Sequence, residues 1–370
     1  MLGKASLFGV LQYSAYRRLF AAQVVSLLGT GLASIALGLL VFELGGANAG
    51  VILGTVLAIK IIAYVTTAPV AEALLGNLPR RTVLVLLDLV RAGFALALPW
   101  VTEIWQIYLL IFLLQAASAG FTPLFQATIP DLLKDEEDYT KALSLSRLAY
   151  DLETLLSPVL ATLLLAVVTW QGLYAGTVCG FLASAALVCT VSLPFSTKTQ
   201  LPFRKRVTRG MQIYLATPRL QGGLILHGVV AAAGAMVFVN TVVLVQGHFG
   251  LAEQDTALTL AAFGVGSMLV ALVSPKLLEK FAERAVMLVG SLILVVSLGI
   301  STGIEEWRDL LPVWMLLGSG YSMIHIPMGR LLRRSAHTED RPALFAAHFS
   351  LSHACWLIAY PTVGWLGAKL

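Results

Sequence analysis

Charge is scarce in this chain. Asp, Glu, Lys and Arg make up 12% of its 370 residues, about half the share of a soluble globular domain. The three cysteines, Cys179, Cys189 and Cys355, are odd in number and lack metal-ligand spacing. They read as small packing residues, not as a disulfide frame or a zinc site. Histidine is missing from the first 226 residues, and all six (His227, His248, His325, His337, His348 and His353) follow. No nucleophile elbow, phosphate-binding loop or HExxH pattern occurs, and no polar stretch is long enough for an ATPase domain. The chain therefore reads as neither an enzyme nor a primary pump, with no cofactor and no metal site. Arg17-Arg18 precede an apolar run too long for a cleaved leader, with no small-residue cleavage site after it. They read as an anchor.

What is abundant is apolar sequence, 58% of residues. A hydrocarbon core about 30 Å thick needs about 20 apolar helical residues to cross it. Runs of that kind begin near Leu19, Asn48, Thr82, Ile104, Ala142, Gln171, Gly222, Thr256, Ala285, Leu310 and Pro342. Bases fall on alternate connections: Arg17 and Arg18, Arg80 and Arg81, Lys134 and Lys141, Lys198 to Arg219, Lys276 to Arg284, and Arg330 to Arg341. The other connections carry Glu43, Glu103, Glu253, Asp255, Glu305, Glu306 and Asp309, with Arg308 the one base among them. The positive-inside rule then predicts an all-α transmembrane protein of the inner membrane with a cytoplasmic N-terminus. The net charge of +5 reflects this topology and contact with bilayer headgroups, not nucleic acid.

The longest polar connection predicts three parts: an N-terminal bundle of six helices over 1–196, a cytoplasmic loop over 197–221, and a C-terminal bundle of five helices over 222–370. Within the loop, Met211 to Leu215 is amphipathic enough to lie on the membrane surface. The two sides echo one another weakly. Pro130-Asp131-Leu132-Leu133, Glu137-Asp138 and Ala142-Leu143 after the fourth run parallel Arg330-Leu331-Leu332, Glu339-Asp340 and Ala343-Leu344 after the tenth.

Three segments carry a family resemblance. They are Tyr16-Arg17-Arg18-Leu19-Phe20-x-x-Gln23-x-x-Ser26-x-x-Gly29, the stretch from Gly76 through Arg80-Arg81 to Asp88-Leu89-Val90-Arg91-Ala92, and Pro130 to Arg147. They resemble the first helix, the loop between helices 2 and 3, and the loop between helices 4 and 5 of major facilitator superfamily transporters, in the bacterial drug- and metal-efflux branch. The chain departs from that pattern in three places. Gly76-Asn77 stands where the family usually has an acid. The helix 5 motif reads Ala149, then Ser157-Pro158-x-x-Ala161. Finally, eleven runs are present of an expected twelve, the last ending at Leu370, which suggests a truncated form. The resemblance implies a monomeric secondary transporter that exports a small molecule in exchange for protons by alternating access. A divalent-metal exporter of the nickel kind and a non-transporting, incomplete permease remain the alternatives.

Charges inside the bilayer are costly, about 2.5–3.5 kcal/mol on insertion scales, so each needs a reason. Lys60 falls near the middle of the second run, either as a cavity-facing cation or paired with a neighbouring helix. In the fifth run, Arg147 and Asp151 are four apart and share a face, whereas Glu153 lies about 200° around from Asp151. A deep carboxyl can carry a proton, so Asp151, Glu153, Arg147 and Lys60 are the proton-coupling candidates, with a structural ion-pair network as the other reading. Asp88 and Arg91, with Glu72, Arg80 and Arg81, lie nearer the cytoplasmic face, where water and headgroups would solvate Asp88. The resemblance gives this group a gating role; a static topology anchor is the alternative. Gln23, Ser26 and Thr30, and Gln115, Ser118 and Thr122, form stripes on the first and fourth helices. The superfamily likeness makes these, with Asn240 and His325, the substrate-contact candidates; polar helix packing explains them equally.

Overall fold

The structure is a computed structural model that describes residues 6–193 and 201–367. Lys198, Leu370 and the expected 196/197 boundary lie outside the described residues. In a bilayer no water is at hand for backbone N–H and C=O groups, and a helix satisfies them within its own segment. The apolar runs accordingly fold as α1 (Ser14–Gly45), α2 (Ala49–Leu75), α3 (Arg80–Ala97), α4 (Ile104–Leu132), α5 (Glu136–Leu165) and α6 (Trp170–Cys189). A shorter helix, α7 (Phe203–Ala216), intervenes, followed by α8 (Pro218–Ala235), α9 (Glu253–Lys280), α10 (Glu283–Ser301), α11 (Trp307–Ser335) and α12 (Arg341–Gly367). Among the described residues no strand occurs, and nine stretches are long and apolar enough to cross a membrane. One of them, 14–75, holds both α1 and α2, which turn at Gly46 with φ +49°, a conformation glycine adopts readily. Helix α11, with its serines, glycines and His325, falls outside that set. Large side chains such as Phe42, Val51, Leu163, Leu292 and Ile358 stand exposed on the outer wall. Such a surface would drive a soluble protein to aggregate and instead meets lipid. This is a multi-pass membrane protein.

The connections divide into a basic end, carrying the start of α1, α7 and the α4–α5 and α11–α12 turns, and an acidic end opposite. Helix dipoles agree with the local charge at the basic end. Glu136, Glu137 and Asp138 fill the first turn of α5, and Arg333 and Arg334 the last turn of α11.

Two sets of helices pack internally. In the first, α6 lies on α1 and α3, α4 on α2 and α3, and α5 on α1. In the second, α11 lies on α9 and α10, and α12 on α8. The seam between them is made by α5 against α9 and α11, and by α12 against α2 and α4. Glycine sets the closest crossings. A Cβ on Gly266 would sit 1.8 Å from the Met315 carbonyl oxygen, and one on Gly318 1.9 Å from that of Phe263, so α9 and α11 touch backbone to backbone. A Cβ on Gly38, by contrast, meets nothing.

Two features exceed the sequence reading. The amphipathic segment is a full helix, α7, that bridges α2 and α12 at the basic end, with Gly210 closed against the Ala343 carbonyl. Helix α8 continues past Ala235 as π-helix over Met236–Asn240 and Val243–His248, which changes the direction of every side chain beyond Ala235.

Candidate functional site

The stripes on α1 and α4 meet in one place. Gln23, Ser26, Thr30, Lys60, Tyr64, Arg91, Ser118, Thr122, Tyr150 and Glu153 line a cavity of about 240 Å³ within the first set, with Leu27, Phe121 and Phe125 as its apolar wall. Its polar groups are partly bound: Ser146 donates to Gln23 Oε1 at 3.0 Å, and Tyr64 donates to Gln115 Oε1 at 3.0 Å. Gln115 is buried behind Tyr64, outside the lining. Lys60 Nζ lies 5.8 Å from the centre of the Tyr64 ring. The Glu153 carboxylate lies against α1 beside Gly31, where a Cβ would meet its Oε1 at 3.1 Å, and Lys60 is the charge that faces it.

Two residues earlier, the chain points the other way, as about 100° per helical residue requires. Asp151 is buried at the seam and bound by Arg147, whose Nε also donates to Ser267 of α9 at 2.9 Å. Ser267 donates to Asp151 Oδ2 at 2.6 Å and so takes its hydrogen bond from Ser322 of α11, also 2.6 Å away. The Arg147 guanidinium lies 4.7 Å from the centre of the Tyr321 ring. Asp151 and Arg147 thus pin α5 to α9 and α11, while Glu153 faces the cavity.

The expected gate divides into two arrangements. Asp88 is fully buried, contrary to the solvated position predicted from its depth. It pairs with Arg91, accepts from Ser184 of α6 at 2.8 Å, and the Arg91 guanidinium sits between Phe121 and Phe181 at 4.1 and 4.5 Å. This pair joins α3 to α6 within one set and does not cross the seam. Arg81 is exposed. Glu72 is half-buried opposite Arg206 of α7, and its carboxylate occupies the space that a side chain at Gly76 would take. The charges that do cross the seam are different ones. Asp131, at the end of α4, holds Arg80 of its own set at 2.5 Å and Arg341 of α12. Glu136, at the start of α5, holds Arg330 at 2.7 Å and Arg334 at 2.5 Å, and both arginines also hold Glu283 of α10. Tyr139 donates to the Gly329 carbonyl at 3.2 Å, and Arg333 donates to the carbonyls of Lys134 and Asp135. Among the described residues, every ion pair between the two sets lies at the basic end. The sequence carried a signal for this latch: the acids after the fourth run and the bases after the tenth occupy matching places in the repeat.

Asn240 and His325 lie away from the cavity. Asn240 donates to Met236 Sδ at 3.0 Å within the π-helical segment. His325 instead meets His227, and His227 meets His348, with ring centres 4.9 and 4.8 Å apart. Sequence spacing separated these histidines; the fold gathers them. Among the described residues no group of three or more His, Cys, Asp or Glu is placed to hold a metal ion. On α7, burial pushes the Tyr214 phenol up from its ordinary value.

A sequence profile of the Major Facilitator Superfamily matches residues 19–360. The chain belongs to the Major Facilitator Superfamily. It is 21% identical over 369 residues to the uncharacterized MFS-type transporter YfiS of Bacillus subtilis (strain 168), covering 95% of this chain and 87% of that one. Its fold matches the crystal structure of the human organic anion transporter MFSD10 (TETRAN) with a TM-score of 0.79 at 13% identity, over 94% of this chain and 92% of the other. This Major Facilitator Superfamily protein is therefore a membrane transporter. Its polar cavity is built by α1, α2, α4 and α5, and its seam is closed at one end by charge.

Proposed function

We propose that this transporter exports a small organic solute in exchange for protons by alternating access, in the inner membrane, with the basic end in the cytoplasm. The observation that carries the reading is the facing pair Lys60 and Glu153 in a polar cavity of an otherwise apolar bundle. A carboxyl there gains and loses a proton as its surroundings turn dry or wet. The two groups are not in ion-pair contact, so a solute with an acceptor at one end and a donor at the other fits between them. At about 240 Å³ the cavity is just under the common range for ligand pockets, about 300–1,000 Å³, which favours a small solute. MFSD10, of the same fold, is an organic anion transporter; Lys60 would supply the matching cation here. The outward direction follows the efflux likeness of the N-terminal segments, and the cytoplasmic side from the alternation of bases. The latch at the basic end supports one of the two closed conformations that alternating access requires.

The test is a panel of organic anions, zwitterions and cations, assayed for accumulation and resistance in efflux-deficient cells and then in proteoliposomes with an imposed pH gradient. Glu153→Gln keeps the size of the side chain and removes its titration. It should lower proton-driven efflux about tenfold or more while solute exchange without a gradient persists. Asp151→Asn should instead lower both, because it loosens the seam. Gradient-driven efflux at the wild-type rate in Glu153→Gln would remove Glu153 as the coupling group.

A further inference from the structure

The cavity between α1, α2, α4 and α5 is balanced in charge, and its charges and its aromatic wall lie at different depths. Arg91 is neutralised by Asp88, which leaves Lys60 and Glu153 as the two charges that face the open space. Neither has a hydrogen-bond or ion-pair partner among the described residues. Lys60 stands 15 residues before Leu75, Glu153 17 after Glu136 and Thr30 16 after Ser14, each counted from the basic end of its helix. At about 1.5 Å per residue, all three lie about 22–26 Å deep. Phe121 and Phe125 stand 11 and 7 residues before Leu132, about 16 and 10 Å deep by the same measure. Their rings stack with centres 5.7 Å apart. Opposite charges thus share one level, and an apolar slot opens from that level toward the basic end.

Each class of solute meets this arrangement differently. A monoanion pairs with Lys60 and leaves Glu153 without a partner; a monocation does the reverse. A charge left unpaired away from water is unfavourable. A molecule with a carboxylate and an ammonium on one carbon pairs with both and adds no net charge. The hydroxyls at this level agree with that choice. Thr30 donates to the Ser26 carbonyl and Ser118 to the Leu114 carbonyl, both at 3.0 Å, so toward the cavity their oxygens only accept, which suits an ammonium. The remaining substituent of that carbon then has the slot beside Phe121 and Phe125. In liquid terms 240 Å³ is the share of about eight waters, room for a solute of about a dozen non-hydrogen atoms or fewer.

We propose that the solute is a zwitterionic α-amino acid with a large apolar side chain, its carboxylate on Lys60, its ammonium on Glu153 and its side chain against Phe121 and Phe125. The proposal rests on this cavity being the transport site and names the substrate class; it does not require proton coupling. The two roles of Glu153 alternate, because the carboxylate that holds an ammonium is free to take a proton once the solute has left. Gln at this position keeps an oxygen that accepts from an ammonium. Glu153→Gln therefore weakens the hold on the solute, and exchange persists at saturating solute.

Binding needs no gradient, which separates this test from that of coupling. The full chain in lipid nanodiscs is titrated calorimetrically with L-phenylalanine, L-leucine, free glycine, phenethylamine and hydrocinnamate. Phenethylamine lacks only the carboxylate of phenylalanine, and hydrocinnamate lacks only its ammonium. Each should bind at least about tenfold more weakly than phenylalanine, the effect of losing one buried charge pair. Free glycine, which has no apolar body, should be weaker than phenylalanine and leucine by a similar factor. Lys60→Gln should remove the advantage of phenylalanine over phenethylamine and keep that over hydrocinnamate; Glu153→Gln should do the opposite. A folding defect weakens every ligand alike and does not produce this crossed pattern. Phe125→Ala should narrow the gap between phenylalanine and glycine about threefold or more. Three results would overturn the proposal: no binding of phenylalanine or leucine, wild-type binding of either truncated analogue as tight as that of phenylalanine, or the wild-type order in both charge variants. Phenylalanine bound in the expected order but not driven out by protons keeps the proposal and removes coupling. Hydrocinnamate driven out by protons as fast as phenylalanine keeps coupling and removes the proposal.

Discussion

Asp88 and Arg91 show how a single buried charge constrains its neighbours. Arg91 is 4% exposed and stacked between two phenylalanines, and Asp88 is the carboxylate that neutralises it. Removing one partner of such a pair leaves the other unpaired in a dry site, at a cost of about 3–5 kcal/mol. Asp88→Asn should therefore lower the thermal midpoint in detergent by several degrees and reduce monodisperse yield. Replacing both partners (Asp88→Leu with Arg91→Met) should recover most of the loss. A single variant as stable as the wild type would mean that the pair contributes nothing. The sequence revealed part of this chemistry and hid the rest. The opposed directions of Asp151 and Glu153 follow from helical angle alone. The burial of Asp88 depends on Ser184, 96 residues away, and depth along a helix says nothing of what lies beside it.

At the scale of elements, hydropathy marked most of the membrane helices, α11 being the weakest, because length and apolarity are properties of a single segment. Contacts between segments were less legible. Gly266 and Gly38 look alike in sequence, yet one meets a backbone oxygen and the other open space. Gly266→Ala and Gly318→Ala should each force α9 away from α11 and cost about 1–3 kcal/mol, read as a lower unfolding temperature and loss of folded protein. Gly228→Ala, with nothing near its added carbon, should stay within about 0.5 kcal/mol of the parent. Equal loss at all three sites would show that these crossings are looser than drawn. The π-helical end of α8 had no signature in composition, and within it Asn240, placed among the cavity candidates by the superfamily likeness, turns to Met236 instead.

For the whole molecule, the number of runs and the alternation of charge gave the bundle and its two ends, whereas which charges close the seam emerged only from the assembled fold. Asp131 is 5% exposed at its side chain, while Glu136 and Arg334 are about two-fifths exposed. Exposed pairs contribute about 0–1 kcal/mol, and buried ones cost far more to break. Asp131→Asn should thus shift the closed-to-open ratio at the basic end by about tenfold, and Glu136→Gln by about threefold or less. Spin labels at Arg81 and Lys280, which are exposed at the basic end on opposite sides of the seam, measure both, and a larger effect for Glu136→Gln would reverse this ranking.

The latch also has a direction. The end of α4 meets the start of α12 as acid on base, and the end of α11 meets the start of α5 as base on acid. Two copies of the first set, arranged in the same way, would bring Asp131 against Glu136; two copies of the second would bring Arg330 against Arg341. Each set therefore repels its own kind and accepts its opposite. This chemical identity tag favours pairing within one chain over a mismatched union between chains during insertion.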